Sequence, residues 1–260
     1  MTIADWPNHR IIQWKMGDRN GQVVAGGNRE GNRLDQLNGP SDVLIDKERD
    51  SLIICDRLNQ RVLQWPRHSS IIQGEILIDN IDCYGLAMDD HRYLYISDNK
   101  KHEVIRYQIG DKNGTVVAGG NGKGTGLNQL NGPAFIFVDQ QQTVYVSDKD
   151  NHRVIKWNKD AKEGIVVAGG QRYGTGLESL LYPQGLFVDT LDTVYVADSL
   201  NYRVMRWPKG EKKGNVIAGG NGLGAGANQL KLITDLSFDC QGNLYVVDYG
   251  NHRVQRFSIQ

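Results

Sequence analysis

The sequence is short of proline, has an odd number of cysteines, carries no excess charge and lacks any long apolar run. Each lack closes a set of readings. With 6 Pro among 260 residues against 31 Gly, collagen-like and proline-rich architectures do not fit. Lys and Arg number 30, as do Asp and Glu, so there is no global pull toward nucleic acid or acidic membranes, although one face could still be charged. No apolar stretch approaches the roughly 18 residues of a membrane-spanning helix. The N-terminal MTIADWPNHRIIQW has no charged head followed by an apolar block, so no signal peptide is expected and a cytoplasmic location follows. Cys55, Cys83 and Cys240 sit at unrelated spacings. That scatter argues against a disulfide framework and a zinc pattern, and predicts buried or idle thiols in a reducing compartment.

What the sequence does have is repetition. A block of the form D-x-x-N-H-R-V-x-x-W begins at Asp5, Asp56, Asp98, Asp148, Asp198 and Asp248. Runs such as TVYVSD, TVYVAD and NLYVVD lead into it, PAFIFVD and PQGLFVD precede those, and GTVVAGG or GIVVAGG follows. These short runs rich in Val, Ile, Tyr and Phe, bounded by Gly, Asp or Asn, are strand signals, and no segment shows sustained helical periodicity. Each period therefore holds four strands, a to d. In one period the spacing predicts a over 135–138, b over 144–147, c over 153–157 and d over 165–168. A four-stranded unit repeating every 40–50 residues or so is the signature of a β-propeller.

These blocks resemble the NHL repeat, which the sequence writes as Asn8-His9-Arg10, Asn151-His152-Arg153 and Asn251-His252-Arg253, and varies as Asn59-Gln60-Arg61 and Asn201-Tyr202-Arg203. The resemblance covers essentially the whole chain. It implies an all-β, six-bladed propeller as one domain over residues 1–260. It also implies a partner-binding role of the kind such domains play in tripartite-motif and related RING-type ubiquitin ligases, or in extracellular sensor domains of bacterial kinases. By pattern the chain supplies about 21 strands, starting directly at a c strand and stopping after one. The sixth blade is then an N-terminal c–d pair and the chain a fragment; a five-bladed ring closed by GQVVAGG is the alternative.

Out of context Asn, His and Arg look catalytic, but recurrence in blade after blade makes them scaffold. Asp5, Asp56, Asp148, Asp198 and Asp248 are expected to accept backbone N–H groups at a tight turn. Asn8, Asn59, Asn151, Asn201 and Asn251, with Arg10, Arg61, Arg153, Arg203 and Arg253, are expected to lock neighbouring segments. His9, His152 and His252, one per blade, are too far apart to share a metal. The terminal aromatics Trp14, Trp65, Tyr107, Trp157, Trp207 and Phe257 are expected to pack between blades.

Function is sought where the copies differ. The d–a loops and b–c turns share one end, which carries Arg29, Arg33, Arg57, Lys100, Lys101, Lys123, Lys149, Arg172 and Lys231, interleaved with Tyr173 and Tyr249 and with fewer acids (Glu30, Asp35, Asp150, Glu178). Such a surface can hold an acidic peptide or single-stranded RNA. The Gly-rich loops lack phosphate-loop spacing and a following helix, and no cofactor is expected. Asp42 and Asp235, at the entry to strand a, are weak candidates for a hard cation. The sequence thus points to a non-catalytic scaffold binding a protein, or RNA, as the substrate-selecting part of a ubiquitin-ligase-type protein whose ligase activity lies elsewhere. The alternative is a propeller enzyme, a lyase or lactonase-like hydrolase with a channel metal.

Overall fold

The computed structural model describes residues 1–15, 17–67, 73–170 and 173–259. Among them are 22 strands in six antiparallel sheets of three or four strands. The sheets are the blades of a β-propeller, as the period predicts. The chain divides into two compact units, Met1–Thr115 and Val116–Gln260.

In the first unit, one sheet contains Thr2–Asp5, Arg10–Gln13 and Gln22–Gly26. The next contains Pro40–Asp46, Ser51–Asp56, Arg61–Pro66 and Glu75–Asp79, and is followed by Cys83–Met88, Tyr93–Asp98 and Glu103–Gln108. In the second unit, Pro133–Val138, Val144–Asp148, Arg153–Trp157 and Ile165–Gly169 form a complete blade. Pro183–Val188, Val194–Asp198, Arg203–Trp207 and Asn215–Gly219 form another, and Ile233–Phe238, Asn243–Asp248 and Arg253–Ser258 a three-stranded one. The predicted four-strand period therefore holds to within two residues at each strand end. The start of the chain differs. Thr2–Asp5 is a b strand, paired with the c strand in the register Asp5↔Arg10 that recurs as Asp148↔Arg153 and Asp198↔Arg203. The chain therefore does not begin at a c strand. The stretch TIAD, at four residues, is too short to show a strand in isolation, but its hairpin partner imposes one.

Period-two alternation explains how a blade is buried on both faces. In the strand Ser51–Asp56 every residue is buried. Leu52 and Ile54 pack with Ile11, Leu37, Leu63 and Trp65 on one side. Ile53 and Cys55 pack with Cys83, Leu86, Ile96 and Tyr107 on the other. The core is thus a series of layers between successive sheets, and the second unit repeats it with Val196, Met205 and Trp207 in one layer and Ala197, Val204 and Leu244 in the next. Of the block-terminal aromatics, Trp65, Tyr107, Trp207 and Phe257 sit in these layers, and Trp157 and Trp207 are almost fully buried.

The cysteine expectation fails in part. Cys55 and Cys83 form a disulfide with Cα atoms 5.6 Å apart, an ordinary span for such a bond, while Cys240 is free and exposed. The pair joins strand b of one blade to strand a of the next, so its 28-residue separation reflects blade geometry and matches no disulfide motif. At the corresponding places in the second unit, Ser147 Oγ donates to the carbonyl of Gln184, the residue after Pro183. The disulfide takes over this link between blades. Alkylation of the native protein should label Cys240 alone, and labelling after reduction in denaturant should find three thiols. Reduction should cost about 3–4 kcal/mol of stability, from the loop length alone. Three reactive thiols without reduction would contradict the pairing.

Candidate binding face

Each b–c turn is built around the Asp that ends strand b. Asp148 is fully buried. Its Oδ1 accepts the backbone N–H of Asn131 at 2.7 Å, and its Oδ2 accepts from Asn151 Nδ2 at 2.8 Å and Arg153 Nε at 2.7 Å. Arg153 also donates to the carbonyls of Thr125, Gly126 and Gln129 at 2.9–3.0 Å. Asn151 donates to the carbonyl of Gly124. One carboxylate thereby fixes the turn and, through Arg153, the preceding d–a loop. The same set recurs at Asp56 with Asn59 and Arg61, at Asp198 with Asn201 and Arg203, and at Asp248 with Asn251 and Arg253. Asp5 keeps the Asn8 and Arg10 bonds. Asp98, in the most degraded copy, instead accepts the backbone N–H groups of Lys100 and Lys101.

The signature histidine caps a three-residue 3-10 turn in the left-handed region, with φ 55° at His152. Its Nδ1 accepts the backbone N–H of Tyr182 at 3.2 Å, and His9 Nδ1 accepts that of Gly39 at 3.1 Å. This bond to the start of the next blade fixes the neutral tautomer with Nε2 protonated. Burial holds the His152 pKa below the ordinary histidine value, against the opposing pull of Asp150.

The basic residues at this end are less available than the sequence suggests. Arg33 pairs with Asp35 through two hydrogen bonds. Lys101 lies 3.9 Å from Asp98 and Lys149 3.8 Å from Asp150. Arg57 donates Nε to Asp82 at 3.0 Å, and its guanidinium lies 4.5 Å from the Tyr84 ring centre and 5.7 Å from that of Trp6. Arg29, in a left-handed conformation, is exposed, as are Lys100, Lys123, Lys231 and Tyr249. Arg172 lies outside the described residues. Tyr173 is 73% exposed and packs on His152 at 5.6 Å between ring centres, and Tyr182 packs on it at 5.3 Å. A cleft of about 280 Å³ opens here, lined by Thr125, Asp150, His152, Gly170 and Tyr173 among others.

Trp6, Tyr84, Asp82 and Tyr182 were not singled out from the sequence. Tyr182 had a visible signal: LYP stands where two other loops read NGP. Trp6 and Tyr84 meet Arg57 only through the fold. Asp42 accepts the backbone N–H of Val43 at 2.7 Å and of Leu86 at 2.8 Å, and burial raises its pKa to about 6. Asp235 accepts the N–H of Leu236 and fills the space beside Gly185. Among the described residues no group of three or more His, Cys, Asp or Glu is placed to hold a metal ion. Among the same described residues, no helix is long and apolar enough to cross a membrane.

Blades tied turn to loop by a repeated Asp–Asn–Arg set define a six-bladed β-propeller. The family model described as NHL repeat matches residues 230–257, the block around Asp248. Residues 230–257 thus carry an NHL repeat, within a β-propeller fold. No curated protein matches it significantly. Among solved structures it is similar to a protein of unknown function from Bacteroides thetaiotaomicron VPI-5482, at 14% identity and a TM-score of 0.78, covering 100% of this chain and 66% of that one. It is also similar to an auxiliary nutrient binding protein from the same organism, at 16% identity and TM-score 0.73 over 96% of this chain and 64% of that one. A third is a gluconolactonase from Xanthomonas campestris, at 16% identity and TM-score 0.62 over 85% and 76%. The chain spans about two thirds of the length of the first two, and at these identities the likeness shows the fold.

Since the His152 bond needs an unprotonated Nδ1, nitrogen NMR should find the Nε2–H tautomer at neutral pH and a pKa below the ordinary histidine value. The folded pKa is depressed, so the stability this group contributes is present above the unfolded value and lost as pH falls through the folded one. Protection of the Tyr182 amide should fall in that window. An Nδ1–H tautomer, or a raised pKa, would contradict the geometry.

Proposed function

We propose that the chain is a non-catalytic binding scaffold that takes a protein ligand at the end of its blades formed by b–c turns and d–a loops. One observation carries this. The side chains that could do chemistry are consumed in the repeated Asp–Asn–Arg ties. What the non-repeating positions leave at this end is aromatic and cationic: Trp6, Arg57 and Tyr84 in the first unit, Tyr173, Tyr182 and Tyr249 in the second. Trp, Tyr and Arg are the residue types that anchor protein interfaces. The neutralisation of Arg33, Arg57 and Lys149 by Asp35, Asp82 and Asp150 makes a protein a better partner than RNA, whose binding depends on uncompensated positive charge.

The family resemblance offers a role as the substrate-selecting part of a ubiquitin-ligase-type protein, in the cytoplasm. The buried Cys55–Cys83 disulfide favours an oxidising compartment instead, and so a sensor or capture role outside the cytosol. The second reading, a lactonase-like or lyase propeller, draws on the gluconolactonase likeness and on the raised pKa of Asp42.

Affinity capture from source material, with and without nuclease, separates these readings. Arg57→Ala and Tyr173→Ala, each checked for native fold, should lose a protein that the parent and a Lys213→Ala control retain, and nuclease should not matter. Capture unchanged by both face variants would defeat the proposal. A stoichiometric metal in the purified protein that disappears in Asp42→Ala would replace it with the enzyme reading.

A further inference from the structure

Tyr182 places an aromatic ring where two sister loops carry glycine and a third carries leucine. It sits in the left-handed region at φ 56°, where the corresponding residues are Gly39 at φ 56°, Gly132 at φ 60° and Leu232 at φ 50°. A side chain at that φ is sterically costly, and glycine is the residue that avoids the cost. Tyr182 is 38% exposed and Leu232 36%, so burial alone accounts for neither side chain. Strained residues that fold stability does not require cluster at binding sites. The Tyr182 and Tyr173 rings both lie against His152, at 5.3 and 5.6 Å between ring centres. The Tyr182 N–H bonded to His152 Nδ1 holds the imidazole in place. The result is a group of three rings, of which His152 and Tyr173 line the cleft together with Asp150 and with Arg153, whose donors go to Asp148 and loop carbonyls.

The chain itself shows what such a set holds. In the first unit the Arg57 guanidinium lies over Tyr84, beside Trp6, with its Nε on the carboxylate of Asp82. Two aromatic rings and an aspartate there surround the protein's own cation. The ring faces carry negative potential and the carboxylate supplies the charge, so a guanidinium satisfies both at once. In the second unit, rings and carboxylate line a cleft open to solvent. Lys149 Nζ, 3.8 Å from Asp150, already marks this carboxylate as a cation acceptor. His152, held neutral by burial at physiological pH, adds no repulsion.

From this geometry we infer that the cleft lined by Asp150, His152 and Tyr173, with Tyr182 packed on His152, is a subsite for an arginine side chain of the protein ligand. The inference rests on the reading that this end of the blades binds a protein. It gives that partner a chemical feature, an exposed arginine in a segment thin enough to enter the cleft.

The test uses the whole chain and a small probe, N-acetyl-arginine methylamide, with the citrulline analogue as its neutral isostere, followed through the aromatic NMR signals. The arginine probe should give saturable shifts at Tyr173, Tyr182 and His152, with a dissociation constant on the order of millimolar. The citrulline probe should bind about tenfold more weakly or worse. Asp150→Asn should abolish the preference between them. Tyr182→Gly should weaken probe binding, through the His152 ring it packs on, without lowering the unfolding temperature, because glycine stands there in two of the sister loops. Equal shifts with citrulline, no saturable shift, or a Tyr182→Gly variant that melts earlier would each overturn the assignment. Probe failure with partner capture still dependent on Arg57 removes the subsite and leaves the binding face. Probe binding without any captured protein does the reverse.

Discussion

The structure depends on a buried carboxylate that is given three kinds of partner at once. At Asp56, Asp148, Asp198 and Asp248 one oxygen takes a backbone N–H from the end of the d–a loop, and the other takes an asparagine amide and an arginine Nε. Burying a charge this deeply is costly unless it is paired and hydrogen-bonded. Three of the roughly four lone-pair sites of each carboxylate are filled, and the arginine directs three further hydrogen bonds to loop carbonyls. The ties therefore convert long, glycine-rich loops, which would otherwise be loose, into fixed platforms. Losing one partner leaves the other buried and uncompensated, which typically costs about 3–5 kcal/mol.

That constraint separates two populations of side chain. Residues in the ties recur because every blade needs them, and their chemistry is exhausted by doing so. Residues that differ between blades are relieved of this duty. They are found on the rigid platforms: the Arg57 cradle of Trp6 and Tyr84 in one unit, and the ring group of His152, Tyr173 and Tyr182 in the other. His152 belongs to both groups. Its Nδ1 serves the scaffold while its ring serves the cleft. A rigid frame presenting aromatic groups loses little conformational entropy on binding, which suits a capture surface.

Much of the fold was legible because strand runs and turn residues recur with the period of a blade, and the Asp-to-Arg spacing fixes a hairpin register. The b strand at Thr2–Asp5 was not, since its four residues are a strand only through pairing with Arg10–Gln13. The Cys55–Cys83 bond was not, since the residues meet across a blade boundary that no spacing rule encodes. At the candidate face, the sequence located the loops but overstated their positive charge. The acids that compensate it, Asp82 above all, come from different segments and approach only in the fold. Tyr182 could have been found by comparing LYP with NGP, had aromatic and conformational differences been weighed alongside charge.

The central claim is that the repeated ties build and the variable residues bind. Unfolding free energy and ligand capture measured together on Asp198→Ala and Tyr173→Ala test it most directly. The account predicts that Asp198→Ala loses several kcal/mol of stability, about 3 or more, because Arg203 is left buried without its carboxylate. It predicts that Tyr173→Ala unfolds like the parent and loses the ligand. Parental stability in Asp198→Ala together with lost binding would contradict it, because the repeated aspartate would then be a functional residue and not a structural one.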